Sequence, residues 1–305
     1  MATRKKTAGN ARTNAAAKPS KKKTKPKRET TVGGSEPPRP VAFEGALASL
    51  FGGGRIGGRR TPKQKAGYEA QQIIYQAFES RDPRRRVELA KQALAIWPDC
   101  ADAYVLLAEM TRDLGQATEL NRKAVEAGER ALGKKAFTED VGHFWGILET
   151  RPYMRARLAL AQCQWTSAKR DEAIENYRGM LLLNPGDNQG VRYLLAACLL
   201  DVSRDDQAAE LMAHYNDDAS AAWAYASALI AFRRHGDSED ARQLLAEAKR
   251  TNPHVPAYLT GKKKMPKQLP DMIGFGDENE AISFVGDYGS SWLQTPKAID
   301  WLRSQ

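Results

Sequence analysis

Three prolines that each follow an amphipathic helical pattern set the period of this chain. Pro185 and Pro253 lie 253 − 185 = 68 residues apart, which is two periods of about 34 residues. Pro98 lies 185 − 98 = 87 residues before Pro185, an excess of 87 − 68 = 19 residues. A chain with this period is built from stacked units, because a single unit of that size cannot bury its own apolar face. The excess predicts an insertion between Pro98 and Pro185.

The same period and its characteristic positions match the tetratricopeptide repeat, a unit of two antiparallel helices. In that unit small residues allow the two helices to approach, larger residues fill the space between units, and a proline ends the second helix. The matching positions are Tyr104 and Leu107, Ala173 and Tyr177, and Trp223 and Ala226. We therefore predict an all-α fold, a tetratricopeptide-like helical-repeat solenoid of about five helix pairs.

Composition divides the chain into four segments. Residues 1–40 combine low hydrophobicity with many Lys and Pro residues and are predicted to be a disordered basic tail. Residues 41–64 are predicted to be a Gly/Arg-rich linker, and residues 65–253 to hold the repeats, with an insert at about 128–151. Since the end of a solenoid leaves an apolar face uncovered, residues 254–305 are predicted to form an irregular strap and a C-terminal helical cap.

The net charge of +10 lies in the N-terminal tail. Residues 1–40 contain 12 Lys and Arg against two acids, so the remainder has 47 − 12 = 35 basic and 37 − 2 = 35 acidic residues. The densest basic run consists of Lys21, Lys22, Lys23, Lys25, Lys27 and Arg28. Three interpretations of this run stay open: a phosphate-binding arm that contacts nucleic acid, a nuclear-import signal, and a tail that only keeps the protein soluble.

The sequence carries no pattern typical of an enzyme or a membrane-spanning protein. Cys100, Cys163 and Cys198 are odd in number and far apart, which favours reduced thiols and a cytoplasmic location. The longest apolar run, 194–200, is far shorter than the roughly 20 residues of a membrane span. The four histidines lack the spacing of metal ligands, and neither a nucleophile motif nor a dinucleotide-binding motif occurs. We therefore expect a non-enzymatic protein without cofactor, metal or membrane span.

Polar residues on the first helices of the repeats form the first candidate site. In a stacked helical repeat these helices line the concave surface, where a peptide or a helix can bind. In the third and fourth pairs the candidates are Arg155, Gln162, Gln189 and Arg192. The two guanidiniums would hold a partner's carboxylate by bidentate hydrogen bonds, or they are ordinary arginines paired with neighbours such as Glu149 or Asp187. The binding hypothesis predicts that replacing both arginines by alanine loses a peptide partner and leaves the melting temperature nearly unchanged.

The insert provides the second candidate surface. Its residues are Phe144, Trp145, Arg151 and Tyr153, and they lie where the excess residues accumulate. Exposed aromatic and arginine side chains are typical of binding hot spots. The alternative for Trp145 and Tyr153 is packing within the core or the insert.

Several segments resemble a known family. They are HFWGILETRPYMRARLALAQ from residue 143, NPGDNQGVRYLL from residue 184 and NPHVPAYLTGKKKMP from residue 252. Over residues 141–305 the chain resembles the bacterial tetratricopeptide proteins related to the suppressor of tumorigenicity 7 family. The resemblance implies an α-helical repeat protein that acts as an interaction scaffold, with no catalytic residues to transfer.

Two functions from different classes follow. The first is a non-catalytic protein–protein interaction scaffold that binds a peptide or helix in the concave groove of the repeats. The second is a nucleic-acid- or ribosome-associated adaptor, in which the basic tail binds phosphates and the repeats recruit a partner. The second predicts binding that falls steeply with salt and is lost when residues 1–60 are deleted.

Overall fold

The computed structural model describes residues 61–305. The predictions for the basic tail, 1–40, and for most of the linker, 41–60, lie outside the described residues. The candidate phosphate-binding residues between positions 21 and 28 lie outside them as well, so the nucleic-acid alternative stays a prediction.

Residues 61–305 are helical and contain no β-strand, which confirms the all-α prediction for this part of the chain. Its fourteen α-helices are α1 (Pro62–Glu79), α2 (Pro83–Ile96), α3 (Ala101–Glu109), α4 (Leu114–Leu132), α5 (Ala136–Glu139), α6 (Arg151–Thr166), α7 (Arg170–Leu183), α8 (Val191–Asp201), α9 (Asp205–His214), α10 (Ala221–His235), α11 (Glu239–Thr251), α12 (Val255–Leu259), α13 (Glu278–Gln294) and α14 (Ala298–Ser304). Two 3₁₀ turns, Phe144–Gly146 and Leu148–Thr150, lie between α5 and α6. None of the described helices has both the length and the apolar character that crossing a bilayer requires.

Five pairs of consecutive helices pack against each other. They are α1 with α2, α3 with α4, α6 with α7, α8 with α9, and α10 with α11. Their connections cover residues 80–82, 110–113, 167–169, 202–204 and 236–238. Because so short a connection makes the two helices run in opposite directions, each pair is a helical hairpin. Contacts of α4 with α6 and of α7 with α8 join neighbouring hairpins.

Local sequence explains where several hairpin helices begin. Thr61 forms a capping box with Gln64 at the start of α1, and Asp82 caps α2 just before a proline. The side chains of Ser220 and Ser238 accept hydrogen bonds from backbone N–H groups in the first turns of α10 and α11. Each such cap typically contributes about 1 kcal/mol, because it satisfies an N–H group that the helix itself leaves unpaired.

The segment predicted as an insert, 128–151, divides in the structure. Residues 128–132 belong to α4, which is 19 residues long. Residues 133–150, the insert segment, contain α5 and the two 3₁₀ turns and lead directly into α6. The backbone N–H of Gly142 donates a 3.0 Å hydrogen bond to the carbonyl of Leu183 at the end of α7. The insert segment is therefore fastened to the third hairpin.

The C-terminal helices pack along the fourth and fifth hairpins. Helix α13 lies against α8 and α10, the first helices of these hairpins, and α14 packs against α12 and α13. The indole rings of Trp292 and Trp301 stack with centroids 6.3 Å apart, and both residues are buried. Helix α13 therefore covers the surface that α8 and α10 share.

Candidate functional site

Arg155 on α6 forms a bidentate ion pair with Asp102 on α3. Its Nε and Nη2 atoms lie 2.9 and 2.6 Å from the two carboxylate oxygens of Asp102. The Asp102 carboxylate is fully buried, and only 12 % of the Arg155 side chain is exposed. Gln71 on α1 donates a further hydrogen bond of 2.8 Å to Asp102. This network joins the first helices of three successive hairpins.

Arg192, at the start of α8, lies between two carboxylates. Its Nη1 is 2.9 Å from Asp187 Oδ2, and its Nε is 2.8 Å from Asp218 Oδ2. The hydroxyl of Tyr193 accepts a hydrogen bond from Arg192 and donates one of 2.6 Å to Asp218. The guanidinium also lies 4.3 Å from the centre of the Tyr193 ring, a cation–π contact. Arg192 therefore connects the turn before α8 with the turn before α10.

Hydrogen bonds set the electrostatics of Asp218. Partial burial by itself would raise the pKa of this carboxyl, but hydrogen bonds from Ser220, Tyr193 and Arg192 outweigh the burial and lower its pKa. The carboxylate therefore stays ionised and holds the Arg192 guanidinium.

The four predicted groove residues do not share one ligand-binding arrangement. Arg155 pairs with Asp102, and Arg192 pairs with Asp187. The second pair is one that the alternative interpretation named, in which the arginines bind neighbouring carboxylates of this chain. Gln162 is exposed on α6. Gln189 is half-buried in the turn before α8, and among the described residues its Oε1 atom is buried without a hydrogen-bond partner. The guanidiniums are already engaged by this chain's own carboxylates.

Two of the insert candidates are core residues. Phe144 is fully buried and Tyr153 is 4 % exposed. Their rings and that of Phe137 lie 5.1 to 6.1 Å apart, centroid to centroid. Gly128 on α4 leaves room for this cluster, since a Cβ atom there would lie 2.9 Å from Tyr153 Cδ2. The packing alternative therefore holds for Tyr153.

The other two insert candidates form a half-buried pair. Arg151 donates a 2.9 Å hydrogen bond from Nε to the backbone carbonyl of Trp145. Its guanidinium also lies 5.1 Å from the centre of the Trp145 ring. This pair connects the first 3₁₀ turn to the start of α6.

Helix α13 is held on α8 and α10 by aromatic residues along one face. Phe284, Tyr288 and Trp292 are spaced by four residues and are 3, 1 and 0 % exposed. The Tyr288 hydroxyl donates a 2.8 Å hydrogen bond to the backbone carbonyl of Tyr193 on α8. A spacing of four residues places side chains on one face of a helix, which is how a helix binds in a groove.

Polar side chains fix both ends of α13. At its start, Glu280 accepts hydrogen bonds of 2.9 Å from the Ala221 backbone N–H and from Asn252 Nδ2. At its end, Arg233 on α10 donates hydrogen bonds of 2.8 Å to Thr295 Oγ1 and 3.0 Å to the carbonyl of Ser291. These four contacts determine where along α10 the helix lies.

A cavity of about 670 Å³ lies between α9, α10 and α11, and we call it the α9–α11 cleft. Small residues form much of its wall, namely Ala209, Ala213, Ala224, Ser227 and Ala231, together with Trp223. Exposed Asp240 and Glu247 on α11 lie at its edge. Asp218, the partner of Arg192, lines it as well. The cleft therefore combines an apolar wall with an acidic edge and adjoins the Arg192 cluster.

The buried cysteines are poor nucleophiles and poor metal ligands. Burial, with a smaller contribution from Asp102, raises the pKa of the Cys100 thiol to about 12. Burial also raises the pKa of Cys198 to about 12. Since only the thiolate attacks or binds a metal, neither residue is set up for that chemistry near neutral pH. Residues 61–305 contain no group of three or more His, Cys, Asp or Glu side chains that could hold a metal ion.

Comparison with known families identifies the family of this chain. The model described as ST7 protein matches residues 61–303, nearly the whole described part of the chain. The chain belongs to the ST7 protein family. The match begins 141 − 61 = 80 residues before the start of residues 141–305, the part of the chain that resembles the family in its motifs. The first two hairpins are therefore part of the family domain.

Similar ST7 proteins occur in animals. The chain is 29 % identical to the Protein ST7 homolog of Caenorhabditis elegans over 280 residues, covering 78 % of this chain and 50 % of the relative. It is 27 % identical to the Protein ST7 homolog of Drosophila melanogaster, covering 77 and 48 % of the two chains. It is 26 % identical to the human Suppressor of tumorigenicity 7 protein-like, covering 76 and 44 %. The chain thus spans about half the length of these relatives, and its predicted bacterial source stays a prediction.

Two features of this ST7-family chain were missed by the sequence reasoning. The first is the position of α13 on α8 and α10. Its signal was present in the sequence, since Phe284, Tyr288 and Trp292 repeat at a helical spacing. The second is the α9–α11 cleft. Its small residues do not reveal it, because the two helices of a tightly packed hairpin require small residues as well. The sequence pattern alone does not distinguish an open cleft from a filled one.

Proposed function

We propose that this chain is a non-catalytic, cytoplasmic interaction scaffold of the tetratricopeptide-like type, which holds a helical segment of a partner protein against its hairpins. The observation that carries the proposal is the packing of α13. A surface formed by two first helices already holds a helix through aromatic side chains four residues apart. That is the helix-in-groove mode of recognition, realised within one chain.

The spacing of the hairpins supports the tetratricopeptide-like part of the proposal. The middle residues of the last three hairpin connections are Ala168, Ser203 and Asp237, which are separated by 203 − 168 = 35 and 237 − 203 = 34 residues. A tetratricopeptide unit is about 34 residues long. The larger interval before Ala168 contains the insert segment.

The α9–α11 cleft is the surface that we propose for the partner. Small wall residues allow a second helix to approach closely, since the distance between packed helices depends on the side chains at the contact. Trp223 lies at the wall but is only 5 % exposed, and its indole N–H is bonded to the Tyr215 carbonyl at 3.0 Å, so it supports the wall from within the core.

The charges around the cleft favour a basic partner helix. Arg234, the positive residue of the lining, is paired with Asp206 at 2.6 Å. Asp240 and Glu247 remain exposed at the edge, seven residues apart on α11. Seven residues are two helical turns, so both carboxylates lie on one side of α11. A partner helix with Lys or Arg two turns apart complements them.

Site-specific photo-crosslinking tests the proposal. A photo-reactive amino acid replaces Ser227 in the cleft of the full-length chain, and a control variant carries it at Ala246, an exposed position of α11 outside the cleft. We expect the Ser227 variant to crosslink a helical, Lys- or Arg-rich segment of a partner, identified by mass spectrometry, and the Ala246 variant not to. Equal crosslinking from both positions, or none from Ser227, would contradict the proposal.

A steric variant provides the second measurement. Ser227→Trp fills the cleft, whereas Ala246→Trp adds the same bulk to an exposed face. The crosslinked segment, made as a synthetic peptide, should bind the Ser227→Trp variant at least tenfold more weakly than it binds the Ala246→Trp variant. Equal binding to the two variants would place the partner elsewhere.

A further inference from the structure

An exposed apolar segment joins α12 to α13. We call residues 260–277 the α12–α13 loop. Of the eight large hydrophobic residues that are exposed within residues 61–305, five lie in this loop, namely Met265, Leu269, Met272, Ile273 and Phe275. Met272 and Phe275 are 80 and 79 % exposed, close to full accessibility. Single exposed apolar residues are ordinary on protein surfaces, but a concentration of this kind marks an interaction site.

The same loop carries a net positive charge. The α12–α13 loop contains four lysines, at positions 262, 263, 264 and 267, and two acids, Asp271 and Asp277, which gives a net charge of 4 − 2 = +2. The 35 basic and 35 acidic residues that follow position 40 cancel overall, so this charge is a local concentration. Lysine side chains are long enough to keep their ammonium groups at a polar boundary while apolar neighbours lie deeper.

Hydrogen bonds hold the backbone of the loop in place. Near its start, Lys263 binds Glu278 at 2.6 Å, and its backbone N–H donates to the Ala257 carbonyl at 2.8 Å. Near its end, the Met272 carbonyl accepts a hydrogen bond of 3.0 Å from Asn279, and the Gly274 N–H donates to Asp277 at 2.8 Å. The apolar tip is therefore presented by a fastened loop.

These backbone bonds also lower the cost of moving the tip out of water. A backbone polar group without a partner costs several kcal/mol in an apolar medium. The Met272 carbonyl and the Gly274 N–H are both satisfied by side chains of the chain itself. The residues between Met272 and Phe275 can thus enter an apolar layer without leaving these two groups unpaired.

We propose that the α12–α13 loop docks on an anionic lipid surface, with Met272, Ile273 and Phe275 in the interfacial layer and the lysines against the headgroups. The apolar residues protrude from a loop beside a local excess of positive charge, and a surface with an apolar interior and an anionic boundary complements both features. The site lies outside the α9–α11 cleft, so the proposal does not depend on the partner helix.

Vesicle co-sedimentation of the full-length chain tests the proposal. The vesicles consist of phosphatidylcholine alone or of phosphatidylcholine with about 30 % phosphatidylserine. The test variant is Met272→Ser with Phe275→Ser. The matched control is Leu182→Ser with Leu293→Ser, which removes two leucines that are each 68 % exposed elsewhere on the protein. All variants keep the basic tail, so electrostatic binding by the tail is common to them.

We expect the wild-type chain and the control to bind the phosphatidylserine vesicles equally. The test variant should bind at least tenfold more weakly, also at raised salt, because two large apolar side chains no longer leave water. Undiminished binding by the test variant, or no binding by the wild-type chain, would overturn the proposal. An equal loss of vesicle binding in the test variant and in the control would overturn the proposal too, since the loss would then not be specific to this loop.

A fluorescence experiment locates the contact directly. Met272→Cys, combined with Cys163→Ser to remove the half-buried native thiol, is labelled with an environment-sensitive dye. It should show a blue-shifted emission with phosphatidylserine vesicles and no shift with phosphatidylcholine alone. Lys262→Glu with Lys264→Glu and Lys267→Glu, introduced into the labelled protein, should reduce the shift by at least half at low salt. An emission that does not change on adding phosphatidylserine vesicles would overturn the proposal. So would a shift that appears only when a protein partner is added.

Discussion

Arg155 and Asp102 are separated by 53 residues in the sequence and meet as a bidentate ion pair, with hydrogen bonds of 2.9 and 2.6 Å. The Asp102 carboxylate is completely buried, so the guanidinium balances a charge that water does not reach. This pair joins the second hairpin to the third. A residue selected from the sequence as a ligand-binding candidate therefore has a structural partner.

Arg155→Ala should destabilise the fold by about 3 kcal/mol, because it leaves the buried Asp102 carboxylate without its cation. The variant with both Arg155→Ala and Arg192→Ala should therefore have a lower melting temperature, whereas the groove-binding hypothesis predicts a nearly unchanged one. Urea denaturation of the variant measures the effect. Gln162→Ala, on the exposed face of the same helix, is the control and should change stability by less than about 0.5 kcal/mol. A cost below about 1 kcal/mol for Arg155→Ala would show that the pair does not hold the hairpins together.

Asp218→Asn should reduce stability at neutral pH and have a smaller effect in acid. Hydrogen bonds lower the pKa of this carboxyl in the folded state. Its contribution is therefore fully present above the ordinary value of 3.8 and is lost as the pH falls below that value towards the folded-state pKa. Denaturation of wild type and variant at several pH values between about 2 and 7 measures the difference. The control is Asp217→Asn, at the exposed position next to Asp218, and it should show no comparable pH-dependent difference.

Trp292→Ala should destabilise the protein by about 3–5 kcal/mol, since it removes a fully buried indole from the contact of α13 with the hairpins. Hydrogen exchange should then be faster in α13 than in α6 and α7. Leu293→Ala changes the next residue, which is 68 % exposed, and should leave both stability and exchange close to wild type. If exchange rose equally in all helices, α13 would be part of one cooperative unit rather than a separately held element.

Ala168→Gly and Ser203→Gly should each stabilise the protein by about 0.5–1 kcal/mol. Both residues lie in hairpin connections with positive φ angles, 60° and 57°, a conformation that glycine adopts without the steric cost of a Cβ atom. Thermal unfolding of the two variants provides the measurement. The same substitution in the middle of an exposed helix, Ala246→Gly, should instead cost about 1 kcal/mol. Destabilisation in the turns as well would contradict the assigned φ angles.

Cys163 should react with iodoacetamide before Cys100 and Cys198 in the folded protein. Burial raises the pKa of the latter two to about 12, whereas Cys163 is only half-buried. Mass spectrometry after timed alkylation at pH 8 identifies the modified residue. In denaturant all three cysteines should react at similar rates, which serves as the control. Early modification of Cys100 would be inconsistent with its burial.

Much of the described fold could be predicted from the sequence because its signals are local. Periodic apolar residues, caps such as Ser220 and Ser238, and the spacing of Pro185 and Pro253 act within one helix or one hairpin. The interval with the excess of 19 residues before Pro185 contains residues 133–150, in which α5 and two 3₁₀ turns lie between α4 and α6. The boundaries were less accurate, since α4 continues to Leu132, inside the predicted insert.

The candidate site was less predictable, because its contacts join residues far apart in the sequence. Charge and spacing on a helix selected Arg155 and Arg192, yet neither property specifies which carboxylate is adjacent after folding. The partner of Arg155 is 53 residues away, and the hydrogen bond from Tyr288 to Tyr193 spans 95 residues. Such contacts depend on how the hairpins stack.

The sequence by itself determined that residues 61–305 are helical and that the excess positive charge lies in residues 1–40. Local propensities, caps and composition are sufficient for these properties. Only the tertiary structure decided that α13 covers α8 and α10, that both arginines are occupied, and that Met272 and Phe275 remain exposed. Burial is a property of the packed chain, because it depends on which other elements contact a given apolar residue.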